Sequence, residues 1–273
     1  MQNNQAKKNK KKRELVYKPY KKGIARSKMS AKKGLKLSAY YLLFMFLYLL
    51  LGASLQFEQL WLRLAANGML VLACTALLFM NGATAGEGET ALAEITLERE
   101  KSGKNVHPDD ILRCYNPAKG WFIFGISVIP MLVFTLPFAF FAKEQVYVLQ
   151  GLPSWVEGYR SHDEIGAALS YYALNSGMDV MDGLRMIVRL MVFPFVNIAT
   201  ADNASALLLV DRLSPLLVCI PMLGYPIGYL LGPKGRAMVH GDIVTSNKRY
   251  QRKQRKAAKE RRAAKAQKKN EII

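Results

Sequence analysis

The chain has 273 residues, of which 51% are hydrophobic and 22% charged, with three cysteines and a formal net charge of +19. It contains no glycine-rich phosphate loop, no nucleophile and base constellation, and no His, Cys or carboxylate pattern at ligand spacing. The sequence therefore offers no catalytic residue, no cofactor and no metal site. Apolar residues gather in blocks of about 20, the length that crosses a bilayer core, which argues against a soluble protein and for one membrane domain.

The charge is terminal. Of 39 Lys and Arg residues, 14 lie in residues 1 to 36 and 14 in 233 to 273; the tails carry +24 together, and residues 37 to 232 carry −5. Cytoplasmic segments near a span hold the Lys/Arg excess, so the tails report orientation before they report a partner. The expectation is an all-α polytopic protein of the plasma membrane with both termini cytoplasmic. It comprises four transmembrane helices, a short interfacial or re-entrant helix, and disordered or frayed-helical basic tails.

Residues 1 to 36 have no sustained apolar period and read as disordered. Residues 37 to 55 form the first span, with Tyr40, Tyr41 and Tyr48 inside it, and read as retained because no cleavage-site pattern follows. A connection from Gln56 to Leu60 leads to the second span, 61 to 81, giving a helical hairpin with its turn outside. Trp61 marks the interface, and Arg63 reads as a snorkelling side chain. Residues 82 to 119 read as a cytoplasmic loop opening with Gly82, Gly86 and Gly88 and holding a short helix from about Thr90 to Lys101. Glu94 and Glu98 are placed on its solvated face.

The third span, 121 to 142, has no charge, and Pro130 and Pro137 should bend it while Thr135 helps satisfy the freed carbonyls. Residues 143 to 183 form an outer loop. The run 184 to 200 is short, carries Arg185 and Arg189 one turn apart and holds Pro194. Counted as a span it would move a basic tail outside, so it reads as an interfacial or re-entrant helix. The last span is 213 to 232. Cys74 and Cys219 fall in spans and Cys114 in the cytoplasmic loop, which implies no disulfide framework.

Within the last span Gly224, Gly228 and Gly232 recur at four-residue steps, a face on which another backbone can approach closely. It packs either inside the monomer, against a partner membrane protein, or in a homo-oligomer. Arg189, Asn197, Asp211 and Arg212 are the candidates for a polar pathway, with Arg189 to Asp211 as one named pair; at the membrane boundary such groups cost little. Asp109 and Asp110 favour the start of a helix near Pro108. The triplet Asn203-Ala204-Ser205 matches an N-glycosylation acceptor and is read as chance.

Residues 248 to 269 are helix formers without an apolar face. Lys248, Arg249, Arg252, Lys253, Arg255, Lys256, Arg261 and Arg262 are placed on an anionic surface: lipid headgroups, RNA including ribosomal RNA, or an acidic protein. The function expected is a non-enzymatic association or scaffold protein whose basic tails contact anionic lipid or RNA. The alternative is a transporter or permease component using the Pro-broken, charged region 183 to 232.

Overall fold

A computed structural model of the chain describes residues 15–143, 159, 162, 165, 180–199 and 203–270. Among these the regular structure is helical throughout. In chain order the helices are α1 (Lys28–Gly52), α2 (Leu60–Lys101), α3 (Pro108–Arg113), α4 (Pro117–Phe141), α5 (Val180–Met191), α6 (Phe193–Ala199), α7 (Ala204–Met222), α8 (Gly224–Leu230) and α9 (Gly232–Asn270). Four stretches among the described residues are long and apolar enough to cross a membrane: α1, α2, α4, and α7 with α8 together. The outer loop expected at 143 to 183 lies almost wholly outside the described residues.

The helices outrun the apolar blocks that announced them. α1 begins at Lys28, before the apolar run at Leu37, because Lys and Ala are good helix formers and no proline intervenes; the helix runs on through Gly34. α2 continues through Gly82, Gly86 and Gly88 to Lys101, so the expected loop and its separate short helix are instead the last part of one 42-residue helix. It stops where a left-handed residue is supplied: Gly103 has φ 73°, its N–H donates to the Glu100 carbonyl at 3.0 Å, and the Lys104 N–H donates to Arg99 at 3.1 Å. That pairing closes the helix end with glycine at no steric cost.

Local capping fixes two more starts. His107 Nδ1 accepts from the Asp109 N–H at 3.2 Å ahead of Pro108, which begins α3. Asn203 Oδ1 accepts from the Ala206 N–H at 3.0 Å and from Ser205 Oγ at 2.9 Å, so the Asn203-Ala204-Ser205 triplet serves as an N-cap for α7. In α4, Thr135 donates to the Met131 carbonyl at 3.0 Å, not to the Ile126 and Val133 carbonyls that Pro130 and Pro137 leave without their helical donors. The expected help from Thr135 is not given.

The chain forms two compact units. A basic unit holds the residues through Ile24, Gly82–Pro117 and Gly228–Ile273; a membrane unit holds Ala25–Asn81 and Ala118–Ile227.

In the membrane unit, α1 buries Leu37, Tyr41, Phe44, Tyr48 and Gly52, a stripe at three- and four-residue steps, and leaves Leu42, Leu43, Phe46 and Leu50 exposed. Helices α5 and α6 pack against both α1 and α7 and are separated by a one-residue break at Val192, whose N–H donates to the Val188 carbonyl at 3.1 Å and whose carbonyl accepts from the Val196 N–H at 3.2 Å. The break sits beside Tyr41, whose hydroxyl donates to the Met191 carbonyl at 3.0 Å. Toward its start, α5 packs with Phe138 and Ala142 at the end of α4, and Asn197 of α6 lies at Gly52, the end of α1. Tyr41 and Gly52 are about 16 Å apart along α1 at 1.5 Å per residue. Pro194 stands in the first turn of α6, where its missing N–H has no helical acceptor to lose.

In the basic unit the N-terminal segment is not the disordered tail that its composition suggested, over the residues described. Residues 15–24 run without helix and are pinned by backbone: Val16 N–H to Ala237 at 3.2 Å, Lys21 N–H to Ala93 at 3.2 Å, and Gly23 N–H to Tyr115 at 2.9 Å. Asn116 Nδ2 closes the set on the Gly23 carbonyl at 2.7 Å. The segment builds no core of its own; it borrows acceptors from helices already formed, a resource that composition does not reveal.

Candidate functional site

The membrane unit carries a buried polar core around α5, α6 and α7. α7 begins at Ala204, earlier than the span predicted from 213, because the apolar block gives the crossing and not the helix start. Asp211 consequently lies inside the helix, 1% exposed, and not at a boundary. Arg189 meets it with both arms, Nε to Oδ1 at 3.0 Å and Nη2 to Oδ2 at 2.7 Å, the paired geometry in which a guanidinium best neutralises a carboxylate. Arg212, the next residue, is exposed and does not join this cluster.

On α6, Asn197 Nδ2 donates to the Gly52 carbonyl at 3.0 Å and to Asn67 Oδ1 at 3.2 Å, and Asn67 Nδ2 donates to the Leu55 carbonyl at 3.2 Å. These bonds tie α6 to the α1–α2 turn. Arg63 donates from Nη1 to the Phe57 carbonyl at 3.5 Å across that turn. Arg185 donates to Asp182 at 3.2 Å with its guanidinium carbon 5.8 Å from the centre of the Phe138 ring. A groove of about 540 Å³ opens beside these residues, lined by Leu49, Asp182, Arg185, Met186, Arg189, Leu190 and Phe193.

Gly224 belongs to this unit. A β-carbon there would stand 2.3 Å from the Thr75 carbonyl oxygen, so α8 and α2 touch backbone to backbone.

The basic unit is organised around Glu94 and Glu89; the charge spacing had placed Glu94 in solvent together with Glu98, which is exposed. Glu94 is buried; it accepts from Arg236 Nε at 3.1 Å and pairs with His240 Nε2 at 2.8 Å. Arg236 and His240 lie over 140 residues away from Glu94 in the chain, one turn apart on α9. Glu89 is buried too and takes the Tyr229 hydroxyl. The Tyr229 ring stacks on Tyr115 at 5.2 Å, and Tyr20 meets Tyr115 edge-on at 5.7 Å. Burial, then the neighbouring Tyr20 and Glu89, push the Tyr115 hydroxyl up to about 12. Gly232 and Gly86 are in mutual contact, a β-carbon on Gly232 standing 2.3 Å from the Gly86 carbonyl carbon. Gly228 is buried in α8.

No protein-family model, curated protein or solved structure matches the chain.

From this packed base α9 runs on for 39 residues, about 58 Å at the helical rise. Lys248, Arg249, Arg252, Lys253, Arg255 and Lys256 are all exposed along it. Arg261 and Arg262 continue the helical backbone. Among the described residues no three His, Cys, Asp or Glu side chains gather as a metal set would require. The arrangement consists of two things: a broken helix held to α7 by a buried ion pair, and a basic helix held at its root. The sequence contained signals for part of it. Arg236 and His240 at i and i+4 mark one face of a helix, but nothing local announces the glutamate they meet.

Proposed function

We propose that this is a non-enzymatic membrane protein whose work is association, with α9 as the element that engages an anionic surface, lipid or RNA, at the cytoplasmic face. The observation that carries the reading is the contrast along α9. Its first turns are fixed by Glu94, by the Val16 to Ala237 backbone bond and by the Gly86 contact, while residues 246 to 260 are exposed on every side. A long basic helix with no face to bury is stabilised by screening its charges, and a fixed root means that ordering it costs less on binding.

Four crossings put both basic ends on one side, and the Lys/Arg excess makes that side cytoplasmic. Helices α5 and α6 then form a re-entrant element on the outer side, with Tyr41 satisfying the Met191 carbonyl at membrane depth, where an unpaired backbone group would be costly. Since Gly224 and Gly232 are occupied within the chain, a partner membrane protein or a second copy would meet the exposed apolar face of α1 instead.

The test is crosslinking in the native membrane of the full chain and of a chain ending at Asn247. The full chain should capture anionic lipid or RNA, and the shortened one should insert normally and lose that capture. Identical crosslinks from both would overturn the reading. A transport function has one observation in its favour, the Arg189 and Asp211 pair beside a groove in a broken helix. Full mutual neutralisation favours a strut over a pathway, and normal insertion with abolished solute movement in Arg189→Leu would reverse that preference.

A further inference from the structure

We infer that the partner of α9 is structured RNA, held in a deep groove that surrounds the helix, in preference to the flat surface of a bilayer. The inference rests on the association reading above and turns on how the basic positions are distributed around the helix. At about 100° per residue, the seven basic residues from Lys248 to Lys259 fall within an arc of about 160°. The five from Arg261 to Lys269 occupy register positions centred about 145° away, on roughly the opposite side of the same helix. The charge is therefore not a stripe. It changes sides at Glu260.

A plane touches one side of a straight helix. Any half-cylinder around α9 gathers at most eight of the twelve positions, so at least four lie on the side that a plane does not touch. A membrane-binding helix has the opposite design, with an apolar face to insert and its basic residues flanking that face; here the residues between the charges are mainly alanine and glutamine. A nucleic-acid groove has phosphates on both walls and can meet both groups together. B-form DNA offers a major groove about 8.5 Å deep, which leaves part of a helix 10–12 Å across standing in solvent. The A-form major groove is deeper and, opened by a bulge, encloses more of the circumference. The lone aromatic residue of the exposed stretch, Tyr250, and the absence of Phe and Trp fit binding through phosphates, not through stacked single-stranded bases.

The experiment uses the full chain in neutral detergent. Binding is measured to a bulged RNA duplex, to a DNA duplex of equal length, and to phosphatidylglycerol vesicles, between about 50 and 200 mM salt. RNA should bind most tightly, with a log–log salt slope of magnitude up to about 8–11 for twelve phosphate contacts at 0.7–0.9 per contact. Glutamine at the five positions from Arg261 to Lys269 should reduce that slope by about 4, and glutamine at the seven earlier positions by about 5–6.

A second variant keeps every charge: two alanines inserted after Lys259 turn the second group by about 200° onto the first group's side. That insertion should tighten vesicle binding and leave RNA binding no tighter. RNA affinity that equals or falls below vesicle or DNA affinity would overturn the inference. So would an RNA slope indifferent to the second group, or an insertion that tightens RNA binding. Vesicle binding without RNA binding would leave the association reading standing, and binding to neither would remove both.

Discussion

Replacing one member of the Arg189 and Asp211 pair should destabilise the membrane unit, replacing both should not, and the two single changes should be unequal. Breaking a buried ion pair from one side costs about 3–5 kcal/mol, because the remaining charge is stranded. Arg189→Leu strands Asp211, which is 1% exposed and has no route to water, and belongs at the upper end of that range. Asp211→Leu strands Arg189, whose side chain is 17% exposed and borders the groove, so it can turn outward and the loss belongs at the lower end. With Tm falling roughly 2–4 °C per kcal/mol for a chain of this size, the singles should unfold roughly 6–20 °C early in detergent. The Arg189→Leu, Asp211→Leu double variant removes both charges and should return to within about 1 kcal/mol of the parent, since apolar replacement of a buried pair is often neutral. Thermal unfolding of the four proteins closes a double-mutant cycle. A double variant as unstable as the sum of the singles, or singles that unfold with the parent, would refute the strut.

Other outcomes follow from single contacts. Gly224→Ala places a β-carbon against the Thr75 backbone and should cost about 1–3 kcal/mol as overpacking, whereas Gly125→Ala, with open space around it in α4, should be neutral or stabilising; thermal melts compare them. Glu94→Ala removes the partner of the half-buried Arg236 and the buried His240 and should loosen the root of α9, read as faster amide hydrogen exchange over residues 232 to 245 with α4 unchanged. Tyr115 supplies a pH test. Its raised value means that the folded state keeps a proton the unfolded state releases above its ordinary value near 10, so stability should fall as pH rises from about 10 to about 12 and this contribution should then level off. Tyr115→Phe, which cannot titrate, should flatten that decline in a pH series of melts.

Hydropathy located the crossings because the bilayer core selects for apolar length, and each of the four apolar runs overlaps a described membrane-length helix. It could not locate helix ends, which depend on caps and propensity; α1 starts on lysines, α2 passes three glycines, and α7 starts at an asparagine cap that had looked like a chance triplet. The pairing of Arg189 with Asp211 was legible, since few charges lie in that region and one partner was within reach. Their depth was not, because it followed from a helix start misplaced by nine residues. Glu94 was misread for a more general reason. A carboxylate at helical spacing from other charges looks solvated until the fold brings its partners from elsewhere, and Arg236 and His240 carry no local mark of where they point.

Everything proposed for α9 requires that both chain ends lie on the cytoplasmic side. Single cysteines at Ser27 and Ser246, in a chain whose Cys74, Cys114 and Cys219 are replaced by serine or alanine, can be treated with a membrane-impermeant maleimide on intact cells and on inside-out vesicles. Both positions should label only in the inside-out vesicles. Labelling of Ser246→Cys on intact cells would mean that α5 and α6 cross the membrane as a fifth span, and would contradict the proposed topology and with it the assignment of α9 to a cytoplasmic partner.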